Sequence, residues 1–253
     1  MDLAESGSVG GFFALRTGRP GGGAYVPLAR VYAGQPAGPH ESGQPGRREP
    51  GTLAGRIDRV ADRLRTPERR VAASIAHLGL AARLWSVALG PAALYGEVPD
   101  LDAEGLFWDP LRTAPDDLVL AAPRTLPASA ESVRATVQYG HLVPLAAALR
   151  RECRISERLL WGNAGSALAG AARELRLWAA KHGRPEVAER AAALAGELFS
   201  HPDLRSTGVL GPQSFRRRSC CLYYRCPGGG LCGDCAFDRP PGVTGLAQGP
   251  SAP

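Results

Sequence analysis

The sequence VAASIAHLGLAARLWSVALG, residues 71–90, is the most apolar stretch of the chain. A helix that crosses a bilayer needs about 20 nearly uncharged residues. This stretch is interrupted by His77 and by Arg83. We therefore expect it to form a helix that is buried in the core of the protein, and we expect no transmembrane segment.

The start and end of this helix are predicted by residues with known positional preferences. Thr66 would be its N-cap and Pro67 would occupy the first helical position, where the missing N–H of proline has no intrahelical partner in any case. Gly90-Pro91 would end the helix. A preceding helix is expected from Thr52 onward, because apolar residues recur there at helical spacing.

Three further helical segments are expected downstream. They are Ser129–Arg151, with a break near Gly140–Pro144, Ser156–His182 and Pro185–Phe199. Short apolar runs predict strands at Phe12–Leu15, Tyr25–Tyr32, Leu106–Trp108 and Leu118–Ala122. The predicted fold class is therefore mainly α with a few short strands (α+β), followed by an irregular C-terminal segment.

The composition divides the chain into four parts. Residues 1–32 form an N-terminal segment, and residues 33–51 are a linker or loop rich in Gly and Pro. Residues 52–200 form a helical body, and residues 201–253 form the C-terminal segment, which holds five of the six cysteines.

The charge of the chain is weak evidence for a nucleic-acid partner, and we expect none. The 253 residues carry a formal net charge of +6, but of the 30 basic residues only Lys181 is a lysine. Such an excess of arginine indicates a compositional bias of the genome. The first residues, MDLAESGSVGG, lack the basic and apolar regions of a secretory signal. We therefore expect a cytoplasmic protein, in which a cysteine cluster binds metal or is redox-active.

Four cysteines form the most informative pattern in the sequence. Cys220 and Cys221 are adjacent, ten residues follow, and Cys232 and Cys235 complete a C-x2-C pair. Four thiolates of this kind are typical of an iron–sulfur cluster or of a structural zinc site. Zinc sites normally space the cysteines of each pair by two to four residues. The adjacent pair therefore favours a two-iron cluster, whose four ligands need not share one metal.

The segment RRSCCLYYR…PGGGLCGDC resembles the C-terminal signature of the FhuF-type ferric-siderophore reductases, which carry a [2Fe–2S] cluster. Residues 71–90, residues 159–171 (LLWGNAGSALAGA) and the sequence GGFFAL near the start are similar to other parts of that family. The resemblance implies that the cluster is bound by Cys220, Cys221, Cys232 and Cys235.

The resemblance also implies a function. The protein would reduce siderophore-bound ferric iron by one electron and release Fe(II). No pattern for NAD(P)H or flavin binding is present in the sequence, so an external donor, such as a ferredoxin or a reductase, would supply the electron. Two alternatives remain open: an iron–sulfur redox sensor or electron carrier without reductase activity, and a zinc-containing module that binds nucleic acid. A peripheral association with the membrane is also left open.

Several residues near the four cysteines are candidates for supporting roles. Arg216, Arg217 and Arg218 could attract an anionic ferric siderophore or an acidic donor, or they could be a solvated charge run. Tyr223 and Tyr224 could shield the cluster or stack on a planar ligand, although plain packing is the simpler interpretation. These five residues and Arg225, which could offset the negative charge of the cluster, are the candidate substrate residues.

Other residues are expected to have structural roles. Cys226 lies inside the ten-residue spacer. It could replace one of the four ligands or form an adventitious disulfide, but we expect it to be a bystander. Cys153 is expected to be an inert thiol. Asn163 is most simply interpreted as a helix cap, although its place in the sequence WGN, which resembles the family, leaves a second role open. The glycines at 228–230 and Gly233 could direct backbone amides toward sulfur or could simply form a tight turn.

Overall fold

A computed structural model describes residues 3–34 and 51–241, so most of the predicted linker at 33–51 lies outside the described residues. Its helices are α1 Leu3–Gly7, α2 Leu28–Ala33, α3 Leu53–Leu64, α4 Arg69–Tyr95, α5 Ala130–Val133, α6 Val143–Glu152, α7 Glu157–His182, α8 Pro185–Ser200 and α9 Pro202–Arg205. A π-helical stretch, Arg134–Leu142, joins α5 to α6, and Tyr223–Arg225 form one 3-10 turn. The predicted fold class, mainly α with a few short strands, is confirmed. The division into four segments stays a prediction.

The long helices α4 and α7 pack against each other in the centre of the core, and α3 and α8 pack beside them. Trp85 on α4 is fully buried, and its indole N–H donates a hydrogen bond of 3.0 Å to the carbonyl oxygen of Ala164 on α7. By length and composition α4 could cross a membrane, but 78% of its most apolar window is buried inside the protein. The prediction of a buried core helix at residues 71–90 is therefore confirmed.

The predicted start of α4 is wrong by two residues. The helix begins at Arg69 with Glu68 as its N-cap, and the side chain of Thr66 instead accepts a hydrogen bond of 3.3 Å from the backbone N–H of Glu68. Thr66 and Pro67 thus belong to the turn after α3. At the other end the helix continues through Pro91, which is enclosed in the core, and ends before Gly96, whose φ is +74°. Buried packing outweighs the loss of one backbone hydrogen bond at this proline.

Most of the other helix predictions are confirmed. The α3 helix begins after Thr52, whose hydroxyl accepts a hydrogen bond of 3.1 Å from the backbone N–H of Gly55. Helices α7 and α8 lie within one residue of their predicted bounds. The expected break near Gly140–Pro144 takes the form of the π-helical stretch, which leads directly into α6 without an intervening loop.

The strands in the described part of the chain are short and form three small sheets. They are β1 Arg16–Thr17, β2 Val26–Pro27, β3 Glu97–Pro99, β4 Leu106–Trp108, β5 Leu118–Leu120, β6 Thr125–Pro127, β7 Gly208–Leu210 and β8 Phe215–Arg217. One sheet has the order β1-β5-β4-β2, with β1 parallel to β5 and the other pairs antiparallel, and the antiparallel pairs β3–β6 and β7–β8 complete the set. The predicted strands at Leu106–Trp108 and Leu118–Ala122 are confirmed, the latter ending at Leu120.

The two N-terminal strand predictions are corrected. Residues Phe12–Leu15 are not a strand, because Phe13 turns into the core against Gly90 of α4, where an added Cβ would lie 2.8 Å from Phe13 Cδ1. The strand follows at Arg16–Thr17. Of the run Tyr25–Tyr32, only the first residues are extended, and the remainder forms α2. Apolar runs of this length do not distinguish a strand from a buried helix.

Candidate iron–sulfur centre

The C-terminal segment lies directly against α7, and two glycines of that helix make the close approach feasible. An added Cβ at Gly162 would lie 2.0 Å from Ser219 Oγ, and one at Gly165 would lie 2.3 Å from Thr207 Oγ1. A larger side chain at either position would therefore force Ser219 or Thr207 to shift. These glycines belong to the sequence WGNAG, residues 161–165, and their contact with the C-terminal segment was not predicted from the sequence.

The hairpin of β7 and β8 carries the chain to the four predicted cysteines. Phe215, at the start of β8, is buried and packs against Phe199 of α8 with ring centroids 5.2 Å apart. The backbone N–H of Arg217 donates a hydrogen bond of 3.0 Å to the carbonyl oxygen of Asp234, which joins β8 to the second cysteine pair. Cys221 is buried, whereas Cys220, Cys232 and Cys235 are partly exposed.

The four thiols lie close enough to influence each other. A hydrogen bond with Cys232 lowers the pKa of the Cys221 thiol to about 6, and the same contact raises the pKa of Cys232. Burial raises the pKa of Cys220, on which the charges of Cys221 and Cys235 also act. Within residues 3–34 and 51–241, no three Cys, His, Asp or Glu side chains are arranged to hold one metal ion. The thiols are therefore adjacent without forming a preformed single-ion site.

Backbone N–H groups point at two of the sulfurs. Leu222 donates to Cys220 Sγ at 3.2 Å, and Phe237 donates to Cys235 Sγ at 3.5 Å, in each case from two residues after the cysteine. In the described part of the chain these donors are not the glycines at 228–230. Those glycines form a tight turn, in which Gly229 donates a hydrogen bond of 2.8 Å to the carbonyl oxygen of Cys226. Of the two interpretations of the glycine run, the turn is the one that the structure shows.

Arg217 is a buried cation beside the cysteines. Its side chain is 2% exposed, its Nε donates to the carbonyl oxygen of Ser219 at 2.9 Å, and its Nη2 donates to Asn163 Oδ1 at 2.6 Å. The remaining nitrogen, Nη1, is buried and has no hydrogen-bond partner among the residues that the structure describes. Burial lowers the pKa of Arg217, and the neighbouring thiols, with Cys221 first among them, oppose that shift.

Asn163 is not a helix cap, because it lies in the interior of α7 and is fully buried. Its Nδ2 donates to the carbonyl oxygen of Ser74 on α4 at 2.8 Å. The hydroxyl of Ser74 in turn donates to the carbonyl oxygen of Cys221 at 2.7 Å. One amide side chain thus connects α4, α7, Arg217 and the backbone of the first cysteine pair. A polar side chain inside an apolar helix was the sequence signal for this role.

Comparison with known families now identifies the chain. Residues 99–219 match the family model described as "Ferric iron reductase FhuF-like transporter". Residues 217–237 match the model described as "FhuF 2Fe-2S C-terminal domain". The two matches together span more than half of the chain. The chain belongs to the FhuF-type family. Among curated proteins, no significant match to this FhuF-type chain was found.

The family match assigns a [2Fe–2S] cluster to this FhuF-type protein, and the residues present fit that group. Such a cluster is bound by four cysteine thiolates and is tuned by hydrogen bonds to its sulfurs. The chain provides four cysteine thiols, and backbone N–H groups donate hydrogen bonds to two of them. Arg217 also fits a cluster, because a buried cation with a free donor, here Nη1, stabilises a negatively charged group beside it.

The three consecutive arginines do not form one surface in this FhuF-type protein. Side chains alternate along a strand, so Arg216 and Arg218 are exposed while Arg217 is buried. Arg216 pairs with Asp238 at 2.8 Å. Arg218 lies at a small cavity of about 260 Å³ together with Arg158. That Arg216 and Arg218 contact the substrate stays a prediction. Arg217 lies beside the cysteines instead.

The remaining candidates surround the cysteine loop. The guanidinium of Arg225 is paired with Glu68 at 2.7 Å, so its charge is balanced on the surface, and the cation beside the thiols is Arg217. Tyr224 packs edge-on against Phe237 with ring centroids 5.9 Å apart. Tyr223 is half-buried. Packing is thus the role that the structure shows for Tyr224.

The two other cysteines are placed differently from the four. Cys226 is buried, and burial, with the charges of Cys221 and Glu68, raises the pKa of its thiol. Cys153 directly follows α6 and lies far along the chain from the cysteine loop, with its sulfur 3.8 Å from the carbonyl oxygen of Leu149. That Cys226 is a bystander stays a prediction.

Proposed function

We propose that this protein reduces ferric iron bound to a siderophore and releases it as Fe(II), with an electron from an external donor. Membership in a ferric iron reductase family supports the reductase activity in general. The observation that carries the finer proposal is the position of the four cysteines at the surface of the C-terminal segment, where three of them are partly exposed. A large iron chelate can therefore approach this site from solvent.

We further propose that the ligands of the cluster are Cys220, Cys221, Cys232 and Cys235. When bound, a [2Fe–2S] cluster supplies one-electron transfer at a potential set by its surroundings. The chain holds the four thiols on a segment anchored to α7, and Leu222 and Phe237 direct N–H groups at two of them. Arg217 provides a positive charge next to them.

One electron is sufficient for iron release. The oxygen donors of siderophores are hard ligands, which hold Fe(III) far more tightly than Fe(II), so adding one electron weakens the complex. The electron comes from the external donor, the iron passes from Fe(III) to Fe(II), and the freed ligand oxygens take protons from water. The role of the protein side chains is to bind and orient the chelate and to adjust the potential, and we assign no acid or base catalyst among them.

We also propose a cytoplasmic location and an external donor of the ferredoxin or reductase type. All six cysteines are free thiols in the structure. Free cysteines are typical of a reducing compartment, which supports the location. The donor follows from the sequence, which shows no pattern for a nicotinamide or flavin site.

The function is tested on protein purified without oxygen. Iron, acid-labile sulfide and zinc are measured, the visible spectrum is recorded, and the dithionite-reduced protein is titrated with a ferric hydroxamate. We expect about two irons per chain and reoxidation of the protein by the chelate. A brown protein that stays reduced in the presence of ferric chelates would instead be a sensor or an electron carrier. A colourless protein that contains zinc would contradict both.

A further inference from the structure

We propose that the ferric chelate docks in a cavity of about 470 Å³ that lies between the N-terminal turn, α4, α7 and the second cysteine pair. This inference rests on the proposed function, because it assigns a binding site to the substrate of that reaction. Cavities of a few hundred Å³ with apolar walls and a few polar groups are typical of small-molecule sites. The ligand class is an iron(III) complex with an apolar organic shell and oxygen donors.

Cys232 and Gly233 form part of the wall of this cavity. A chelate bound there would contact a residue that we propose as a ligand of the cluster. Because electron transfer slows steeply as donor and acceptor move apart, contact with a cluster ligand is the favourable position for the acceptor. The smaller cavity at Arg218 reaches the cysteine segment only at Ser219, and no cysteine is among the residues that line it.

Several walls of the cavity are apolar. The α4 wall presents Leu78 and Ala82, the α7 wall presents Gly170 and Ala171, and Phe12 covers one side. The Phe12 side chain is 44% exposed, although it stands at the edge of a well-packed body. An apolar side chain that is left partly in water at a cavity mouth gains free energy when an apolar ligand covers it.

The N-terminal wall of the cavity is held in place by a buried side chain of α4. Arg83, which is buried in α4, donates hydrogen bonds to the carbonyl oxygens of Gly11 and Phe12. The same guanidinium is paired with Asp117 at 2.8 Å, and both side chains are almost fully buried. A buried ion pair of this kind fixes a backbone position. The wall therefore does not depend on the ligand for its shape.

A guanidinium and a carboxylate, those of Arg173 and Asp234, also line the cavity. Asp234 is buried and accepts hydrogen bonds from Ser166 at 2.5 Å and from Arg173 at 3.3 Å. The side chain of Arg173 remains 37% exposed, so donors of its guanidinium face the opening. Oxygen atoms that coordinate iron still accept hydrogen bonds, and an arginine fork is well suited to donate them. The cavity thus combines apolar walls with the guanidinium of Arg173 and with the carboxylates of Asp234 and Glu174.

Gly170 is the position that tests the cavity directly. An added Cβ there would have only Arg173 Nη2 within 4 Å, at 3.9 Å, so Gly170→Leu fills the cavity without displacing the core. Gly196 of α8 is the matched control, because it is also a mid-helix glycine whose added Cβ would meet nothing within 4 Å, and it does not line the cavity. Phe12→Ala is a second variant, which removes part of the wall at an exposed position.

The experiment uses the intact, cluster-loaded protein and the gallium(III) and iron(III) complexes of desferrioxamine B. Gallium(III) is not reduced, so calorimetry with its complex measures binding alone. We expect Gly170→Leu to weaken binding at least tenfold and to lower the rate of Fe(III) reduction at low chelate concentration by a similar factor. Phe12→Ala should weaken binding several-fold, and Gly196→Leu should bind as the wild type does. Iron content and visible spectrum are recorded for each variant.

The outcomes separate the site from the function. Wild-type binding by both Gly170→Leu and Phe12→Ala would overturn the docking site, as would loss of binding in Arg218→Gln with normal binding in Gly170→Leu. A third outcome is that the wild-type protein binds the gallium complex and Gly170→Leu does not, but the wild-type protein fails to reduce the iron complex. This outcome would support the docking site and overturn the proposed function.

Discussion

Arg217 and Asn163 form a buried hydrogen bond, in which Arg217 Nη2 donates to Asn163 Oδ1 at 2.6 Å. The bond fixes a guanidinium beside the cysteines from the interior of the helical body. Because Asn163 also donates to Ser74 and Ser74 donates to Cys221, the position of the cysteine segment depends on the packing of α4 against α7. The core and the candidate cluster site are therefore parts of one hydrogen-bond network.

Replacing Arg217 with Met is predicted to lower the reduction potential of the protein. A buried positive charge favours the reduced state, which carries one more negative charge. Removing it should shift the potential by on the order of 50 mV, which corresponds to about 1 kcal/mol for one electron. A redox titration followed by absorption or electron paramagnetic resonance measures the shift. Arg216→Met is the matched control, because that neighbour is exposed and paired with Asp238. An equal shift in both variants would contradict the specific role of Arg217.

Replacing Asn163 with Leu is predicted to destabilise the fold by about 1–3 kcal/mol, because it removes the 2.6 Å acceptor of the buried Arg217 Nη2 and the hydrogen bond to the carbonyl oxygen of Ser74. Unfolding by urea, monitored by circular dichroism, gives the change in the free energy of unfolding. Gln213→Leu, at an exposed position, should change that free energy by less than about 0.5 kcal/mol. An equal change in the free energy of unfolding for the two substitutions would contradict the role assigned to Asn163.

Replacing Gly162 with Ala is predicted to loosen the C-terminal segment and to lower the iron content. Its Cβ would lie 2.0 Å from Ser219 Oγ, and overpacking of this kind costs about 1–3 kcal/mol. Gly196→Ala, which meets nothing within 4 Å, should instead stabilise the protein slightly through helix propensity. Iron analysis and urea unfolding of both variants check the prediction, and normal iron retention in Gly162→Ala would refute it.

Replacing any one of the four proposed ligands with Ser is predicted to abolish the visible spectrum and the bound iron. Cys226→Ser is the matched control, because Cys226 belongs to the same loop and is buried, as Cys221 is. It should retain both properties. Absorption spectra and iron analysis of the five variants decide the matter. Retention of colour in Cys232→Ser combined with its loss in Cys226→Ser would show that Cys226 is a ligand.

The stability of the protein is predicted to fall as the pH falls below 6.5, in part because of His141. Burial lowers the pKa of this histidine to about 4 despite the opposing hydrogen bond to Leu101 and the charge of Asp102. Its neutral ring is satisfied, since Tyr32 lies 2.8 Å from Nδ1 and Leu101 O lies at Nε2. The unfolded chain therefore binds a proton that the folded chain excludes between pH 6.5 and 4.

This difference reduces stability by up to about 1.4 kcal/mol per pH unit for that one group. The pH dependence of the urea midpoint, measured at constant ionic strength between pH 7 and 5, tests it. His141→Gln should show a shallower dependence over this range. An unchanged dependence would mean that other groups account for the acid sensitivity.

The sequence predicts the helices and the cysteines well because both signals are local. Apolar spacing predicts α7 and α8 within one residue, and the cysteine spacing lies within sixteen consecutive residues. The short N-terminal strands were harder to predict, because the structure of residues 12–15 is determined by packing of Phe13 against Gly90, which is distant in sequence. Propensity is overridden by such tertiary contacts.

The support of the candidate site could not be predicted for the same reason. Arg216, Arg217 and Arg218 are equivalent in the sequence, and only the contact of β8 with α7 determines that the middle one is buried. Asn163 resembles a cap until its partners on two other elements are known. The cavity beside Cys232 is formed by four segments that are remote along the chain, and no local pattern indicates it.

The most direct test of the account follows Fe(II) release by the reduced protein under anaerobic conditions. Dithionite-reduced protein, freed of excess dithionite, is mixed with ferric desferrioxamine B in the presence of a colorimetric Fe(II) chelator, with oxidised protein as the control. We predict that Fe(II) appears in a one-to-one ratio with the electrons lost by the protein and that the oxidised spectrum returns. A protein that remains reduced, with no more Fe(II) than in the control, would contradict the proposed reductase function.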